Sequence, residues 1–144
     1  MVKLTKERSE ATKLGPDNMG MGIIETVGIV IHVFQTPPTI TFSQAEIASF
    51  KELPATDKGR TISILTKNTG ETILICAGYV ELVNLRTGKK ERMKPNGFTI
   101  LPGGSREVKF VLPPTLEKGK YTVTGVVDYG SKEDVQAAEM ELEI

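Results

Sequence analysis

The chain has no tryptophan, a single cysteine, a single histidine and no surplus of either charge. Each shortage removes something. With Cys76 alone, no intrachain disulfide can form. Cys76 stands in the apolar run Thr72-Ile73-Leu74-Ile75-Cys76-Ala77 and reads as a small buried hydrophobe. A Ser-His-Asp or Cys-His system would have to route through His32, which sits among Val30, Ile31, Val33 and Phe34. That strand context offers no second ligand for a zinc site, which needs three or four donors. The 18 Lys and Arg balance 18 Asp and Glu. Nucleic-acid binding is therefore not expected, because phosphate neutralisation normally demands a basic excess.

No segment approaches the roughly 20 apolar residues of a membrane-spanning helix. The opening Met1-Val2-Lys3-Leu4-Thr5-Lys6 lacks the apolar core of a signal peptide. What is present suits a soluble domain: 144 residues, 39% hydrophobic and 25% charged. A domain of this length buries roughly 68–70% of its unfolded surface, so it needs neither metal nor disulfide to hold together.

Residues 1–21 are polar, interrupted by Gly15-Pro16, Asn18 and Gly20, and carry no sustained period. They read as a loose tail or as the remnant of an upstream domain. Residues 22–38 read as an extension strand and linker. The strand is rich in β-branched side chains and is ended by Pro37-Pro38. Ile29 to Phe34 is apolar on both faces, the pattern of a strand covered on both sides or passing between packing surfaces.

From residue 39 to 144 the chain reads as short strands between Gly, Pro and Asn turns. Expected strands are Thr39 to Phe42, Ala45 to Leu53, Arg60 to Thr66, Thr72 to Leu85, Met93 to Leu101, Ser105 to Leu112, Tyr121 to Val127 and a last one through Ala138 to Ile144. Pro54 to Gly59 reads as a loop and Thr87-Gly88-Lys89-Lys90 as a hairpin turn. Ile62 and Ile64 alternate with Thr61 and Ser63, a half-buried pattern. In the last strand Ala138, Met140, Leu142 and Ile144 face inward against Glu139, Glu141 and Glu143. Ser43 to Lys51 is a short helical candidate, read here as strand. The fold class is all-β, an immunoglobulin-like antiparallel β-sandwich with an N-terminal extension strand.

Lys67-Asn68-Thr69-Gly70, Leu101-Pro102-Gly103-Gly104-Ser105-Arg106 and Leu116-Glu117-Lys118-Gly119-Lys120-Tyr121-Thr122 occur in the order of the turn and corner segments of many bacterial immunoglobulin-like domains. Residues 39–144 resemble the sandwich domains of envelope proteins related to periplasmic pilus chaperones. Asn68 and Gly70 suit a turn with positive φ, and Leu116-x-x-Gly119-x-Tyr121 looks like a tyrosine corner. The resemblance implies a periplasmic or cell-envelope location, and it likens Gly22 to Gln35 to the strand by which such chaperones hold a client. It carries over no chaperone active-site residue.

Catalysis finds no support, and no cofactor or metal is expected. Glu139-x-Glu141-x-Glu143 reads as a solvated row, Asp128 as a turn residue, and Gly103-Gly104-Ser105 lacks the lysine of a phosphate loop. The expected role is a non-catalytic structural or protein-interaction module. Val27, Ile29, Ile31, Val33 and Phe34 are the candidate partner-binding residues, acting on a protein partner by strand addition or on a second copy of the chain. The competing expectation is a carbohydrate-binding accessory domain, with Tyr79 and Tyr129 as its exposed rings.

Overall fold

The structure is a computed structural model describing residues 2–7 and 26–144. It divides into two compact units, Met1–Gln35 and Thr36–Ile144. The first holds β1 (Val2–Glu7) and β2 (Thr26–Ile31), an antiparallel ribbon with Val2 opposite Ile31 and Glu7 opposite Thr26. Val2–Glu7 thus forms a strand where the sequence pattern suggests a loose tail. Residues 8–21 of the expected tail and residues 22–25 of the expected extension strand lie outside the described residues.

The second unit is an all-β antiparallel sandwich. Its smaller sheet has the order β3-β4-β8, from Ala45–Thr56, Gly59–Asn68 and Ser105–Val111. The larger sheet runs β10 (Gln136–Glu143), β9 (Lys120–Asp128), β5 (Leu74–Asn84). Its fourth rank is shared by β6 (Lys90–Arg92) and β7 (Asn96–Ile100), both antiparallel to β5. The two segments amount to one edge strand interrupted at Met93–Pro95, where the register against β5 shifts by one residue, as at a bulge. The chain crosses between sheets after β4, β7 and β8, so β4 is central in the smaller sheet and β5 and β9 are central in the larger.

Period-2 alternation explains the packing. On β9, Tyr121, Val123 and Val127 are buried while Thr122, Thr124 and Val126 stand on the other face. β5 contributes Leu74, Val80 and Leu82, and the opposing sheet contributes Ile62, Ile64, Val108 and Phe110. Burying one such side chain stabilises by about 1.5–3 kcal/mol. Gly125 lets the layers approach closely: a Cβ there would lie 2.7 Å from the Phe50 ring and 3.1 Å from Ile64 Cδ1.

Several sequence expectations change. Thr39 to Phe42 is not a strand; Phe42 instead accepts backbone bonds from Glu71 and Thr72 through its carbonyl. Pro54 does not end β3, which continues to Thr56. β3 is an edge strand, and its register shifts between Leu53 and Thr56, so the missing N–H of Pro54 costs no ladder bond. The turn shrinks to Asp57-Lys58. β4 is buried on both faces: Ile62 and Ile64 face the core, while Thr61 and Ser63 are flanked on the outer face by Leu53 and Val111 and by Lys51 and Lys109 of the neighbouring strands. Gly70 has no positive φ, nor has Asn68. Glycine is needed at 70 for another reason, since a Cβ would meet Gln44 N at 2.6 Å and Phe42 O at 2.7 Å.

Two buried asparagines fasten opposite ends of the sandwich. Asn68 Nδ2 donates to Thr72 O at 2.7 Å and Ile100 O at 3.1 Å, while its Oδ1 accepts from Gly70 N at 3.0 Å. Asn84 Oδ1 accepts from Arg86 N and Thr87 N at 2.9 and 3.1 Å, shaping the β5–β6 turn. The Tyr121 hydroxyl donates to Glu117 O at 2.8 Å, the bond of a tyrosine corner.

Candidate functional site

Large apolar side chains meet solvent in succession along β2 and just beyond its end. Ile29 is 57% exposed, Ile31 45%, Val33 61% and Phe34 50%. The sequence pattern suggests a strand covered on both faces; Val30, on the opposite face, is instead 51% exposed. Val27 pairs with Lys6, and its side chain lies outside the described part. Ile29 and Ile31 share one face of β2, and Val33 follows two residues on, beyond the end of the strand. His32 stacks against Phe34, ring centroids 6.1 Å apart. One edge of β2 is occupied by the chain's own β1; the other has no partner among the described residues.

The sandwich offers a cleft of about 310 Å³ at the end where β3 turns into β4, floored by Leu112, Pro113, Leu116 and Ile144. Arg60 lies on its wall but is committed elsewhere. Its Nε and Nη2 donate to Glu52 Oε1 and Oε2 at 2.6 and 3.1 Å, and Nη1 donates to Glu143 O at 2.6 Å. The guanidinium therefore clamps β10 to the smaller sheet and leaves little cationic valence for a ligand. The sequence gives no local sign of this clamp because the two partners of Arg60 lie 8 and 83 positions away.

The remaining chemistry-bearing residues occupy structural positions. Cys76 is buried, and that burial, with the charge of Asp128 second, pushes its thiol up to about 11. Asp128 Oδ1 accepts from Gly130 N at 2.9 Å and so shapes the turn after β9. Glu139, Glu141 and Glu143 are exposed on one face of β10, as their alternation predicts. Among the described residues, no three His, Cys, Asp or Glu side chains come together as a metal site, and no helix is long and apolar enough to cross a membrane.

The two rings nominated for sugar stacking are not open. Tyr129 is only 4% exposed and its hydroxyl donates to Asp134 Oδ2 at 3.2 Å. Tyr79 is half-buried, with the Arg92 guanidinium 3.7 Å from its ring centre.

No protein family and no curated protein sequence matches this chain. Solved structures do resemble it. A β-glucosidase from Erythrobacter marinus matches at TM-score 0.50 and 14% identity over 69% of this chain and 15% of that one. A β-glucosidase from Kluyveromyces marxianus matches at TM-score 0.44 and 23% identity, covering 73% of this chain and 15% of the enzyme. The C-terminal domain of Wzt matches at TM-score 0.45 and 16% identity, over 74% of this chain and 78% of that domain. The chain thus spans about 15% of the length of these β-glucosidases. At such identities the likeness concerns the fold alone.

Proposed function

We propose that the chain is a non-catalytic protein-interaction module of the bacterial cell envelope, in which the β1–β2 ribbon receives an extended segment of a partner protein. One observation carries this reading: Ile29 and Ile31, on a strand whose second edge has no partner among the described residues, and Val33 and Phe34, just beyond its end, are each about half exposed or more. An added strand would pair with that edge through its main chain and cover the apolar row with its own alternating side chains. Apolar surface of this kind is costly to leave in water unless something covers it. The likeness of residues 39–144 to chaperone-type sandwich domains supports the envelope location, which fractionation of a tagged chain would test.

The binding test uses a displayed library of extended peptides selected on the full chain. Selected sequences are expected to alternate apolar and polar residues. Their binding should be lost in Ile29→Asp/Ile31→Asp and kept in Ile75→Asp, a similarly exposed apolar position on the sandwich. Equal binding by both variants would remove the ribbon from recognition.

A further inference from the structure

The neutral chain is electrically polarised across its larger sheet. Residues 86–94, which form one edge, hold five Lys or Arg against one Glu. Residues 133–143, at the opposite edge, hold five acidic side chains and no Lys or Arg. The register makes the segregation specific. Arg92 lies opposite Glu81, Glu81 opposite Thr124, and Thr124 opposite Glu139. One row over, Lys90 lies opposite Val83, Val83 opposite Thr122, and Thr122 opposite Glu141. Arg92 and Glu139 therefore end one lateral row of the outer face, and Lys90 and Glu141 end the next.

We propose that copies of this chain associate head to tail through these edges, β10 of one copy against β6 of the next. A copy displaced along the row by the width of the sheet sets its Glu139 beside Arg92 and its Glu141 beside Lys90. Strand direction agrees as well. The larger sheet is antiparallel throughout, so β10 and β6, three ranks apart, run in opposite senses and meet as an antiparallel pair. Lys90, Arg92, Glu139 and Glu141 are all exposed, and Arg92 forms no ion pair among the described residues. Charged edges ordinarily discourage strand pairing when like meets like; here each edge repels its own kind and attracts the other. That excludes a two-fold dimer through either edge and selects a heterologous contact, which is open-ended unless the rotation closes. Four ranks, each twisted by roughly 20–25°, turn successive copies by about 80–100°. This contact rests on the sandwich alone and is independent of the ribbon reading.

The test is sedimentation velocity of the full chain across a concentration series in low and high salt. Association is expected at low salt and loss of it at about 1 M, where charges are screened within about 3 Å. Glu139→Lys/Glu141→Lys makes both edges basic, and Lys90→Glu/Arg92→Glu makes both acidic. Each variant alone should associate on the order of 10- to 100-fold more weakly than the natural chain. An equimolar mixture of the two should associate again, because every contact between unlike variants is complementary. If a reversal fails to fold, Glu139→Gln/Glu141→Gln takes its place and should weaken association as well. A natural chain that stays monomeric at low salt overturns the proposal. So do variants that associate undiminished, or a mixture that stays as weak as its components.

Discussion

Asn68 is fully buried and three bonds converge on its side chain, which makes it the sharpest test of how the sandwich end is held. Asn68→Ala removes both donors to Thr72 O and Ile100 O and the acceptor for Gly70 N. Each bond is worth about 0.5–1.5 kcal/mol net, with more lost where a buried partner stays unpaired. The expected destabilisation is about 3–5 kcal/mol, a large part of the 5–15 kcal/mol typical of a domain. Asn68→Asp keeps the shape but points a second acceptor at two carbonyl oxygens. The folded protein then favours the protonated acid, so its pKa rises above the unfolded value of about 3.9. A raised folded pKa means stability is fully present below the unfolded pKa and is lost as pH rises through the folded one. Asn68→Asp should therefore be weaker than Asn68→Ala near neutrality and recover towards it, or beyond, below pH ~4.

The assay is urea unfolding followed by far-ultraviolet circular dichroism, since the chain has no tryptophan for fluorescence. A loss under about 1 kcal/mol in Asn68→Ala, or an Asp variant whose deficit relative to Ala does not change with pH, would refute the reasoning.

Four further outcomes follow from individual contacts. Tyr121→Phe keeps the buried ring and loses the 2.8 Å bond to Glu117 O, lowering the urea midpoint by an amount equivalent to about 1 kcal/mol. Gly125→Ala forces a methyl group against Phe50 and should cost about 1–3 kcal/mol, partly recovered with Phe50→Leu, as thermal melts of the single and double variants would show. The Glu107 carboxyl is held below its usual range, first by the Ser63 hydroxyl at 2.6 Å and then by Lys109 and Lys51. Its stabilisation is present above the unfolded pKa and lost as pH falls through the folded one, so Glu107→Gln should flatten the melting-temperature profile on the acid side. Cys76, buried with its thiol raised to about 11, should react with an aromatic disulfide reagent at neutral pH only as fast as the protein opens; labelling in native buffer at the rate of a free thiol would contradict this.

The strands that alternate cleanly, β8, β9 and β10, were legible because one face of each is buried and the other solvated. β6 escaped notice because three residues make no period. Proline misled in one place and guided in another. Pro54 looks like a terminator but sits at a bulge on an edge strand, and strand position cannot be read from local sequence. Tyr129 was legible by a different route from the one taken. Counted as turn residues, Tyr129 and Gly130 suggest exposure; counted in phase with Tyr121, Val123 and Val127, Tyr129 falls on the inward face, where it is. At the ribbon, apolar composition suggested a strand covered on both faces, whereas Ile29, Val30 and Ile31 are each about half exposed. Periodicity reports which side chains share a face, whereas burial depends on what the rest of the fold brings to that face.

Net charge was the bluntest of these sequence arguments. A total of zero weakens long-range steering towards a polyanion, but it does not make the surface inert. The outermost ranks of the larger sheet are separated by three strand spacings, about 14 Å. Charges are screened over about 8 Å at physiological ionic strength. A partner at one edge therefore experiences that edge nearly alone. Contact electrostatics in this protein are set by strand order and register, which carry Glu139 and Arg92 to opposite ends of one row, and the composition that sums them to nothing is silent on that arrangement.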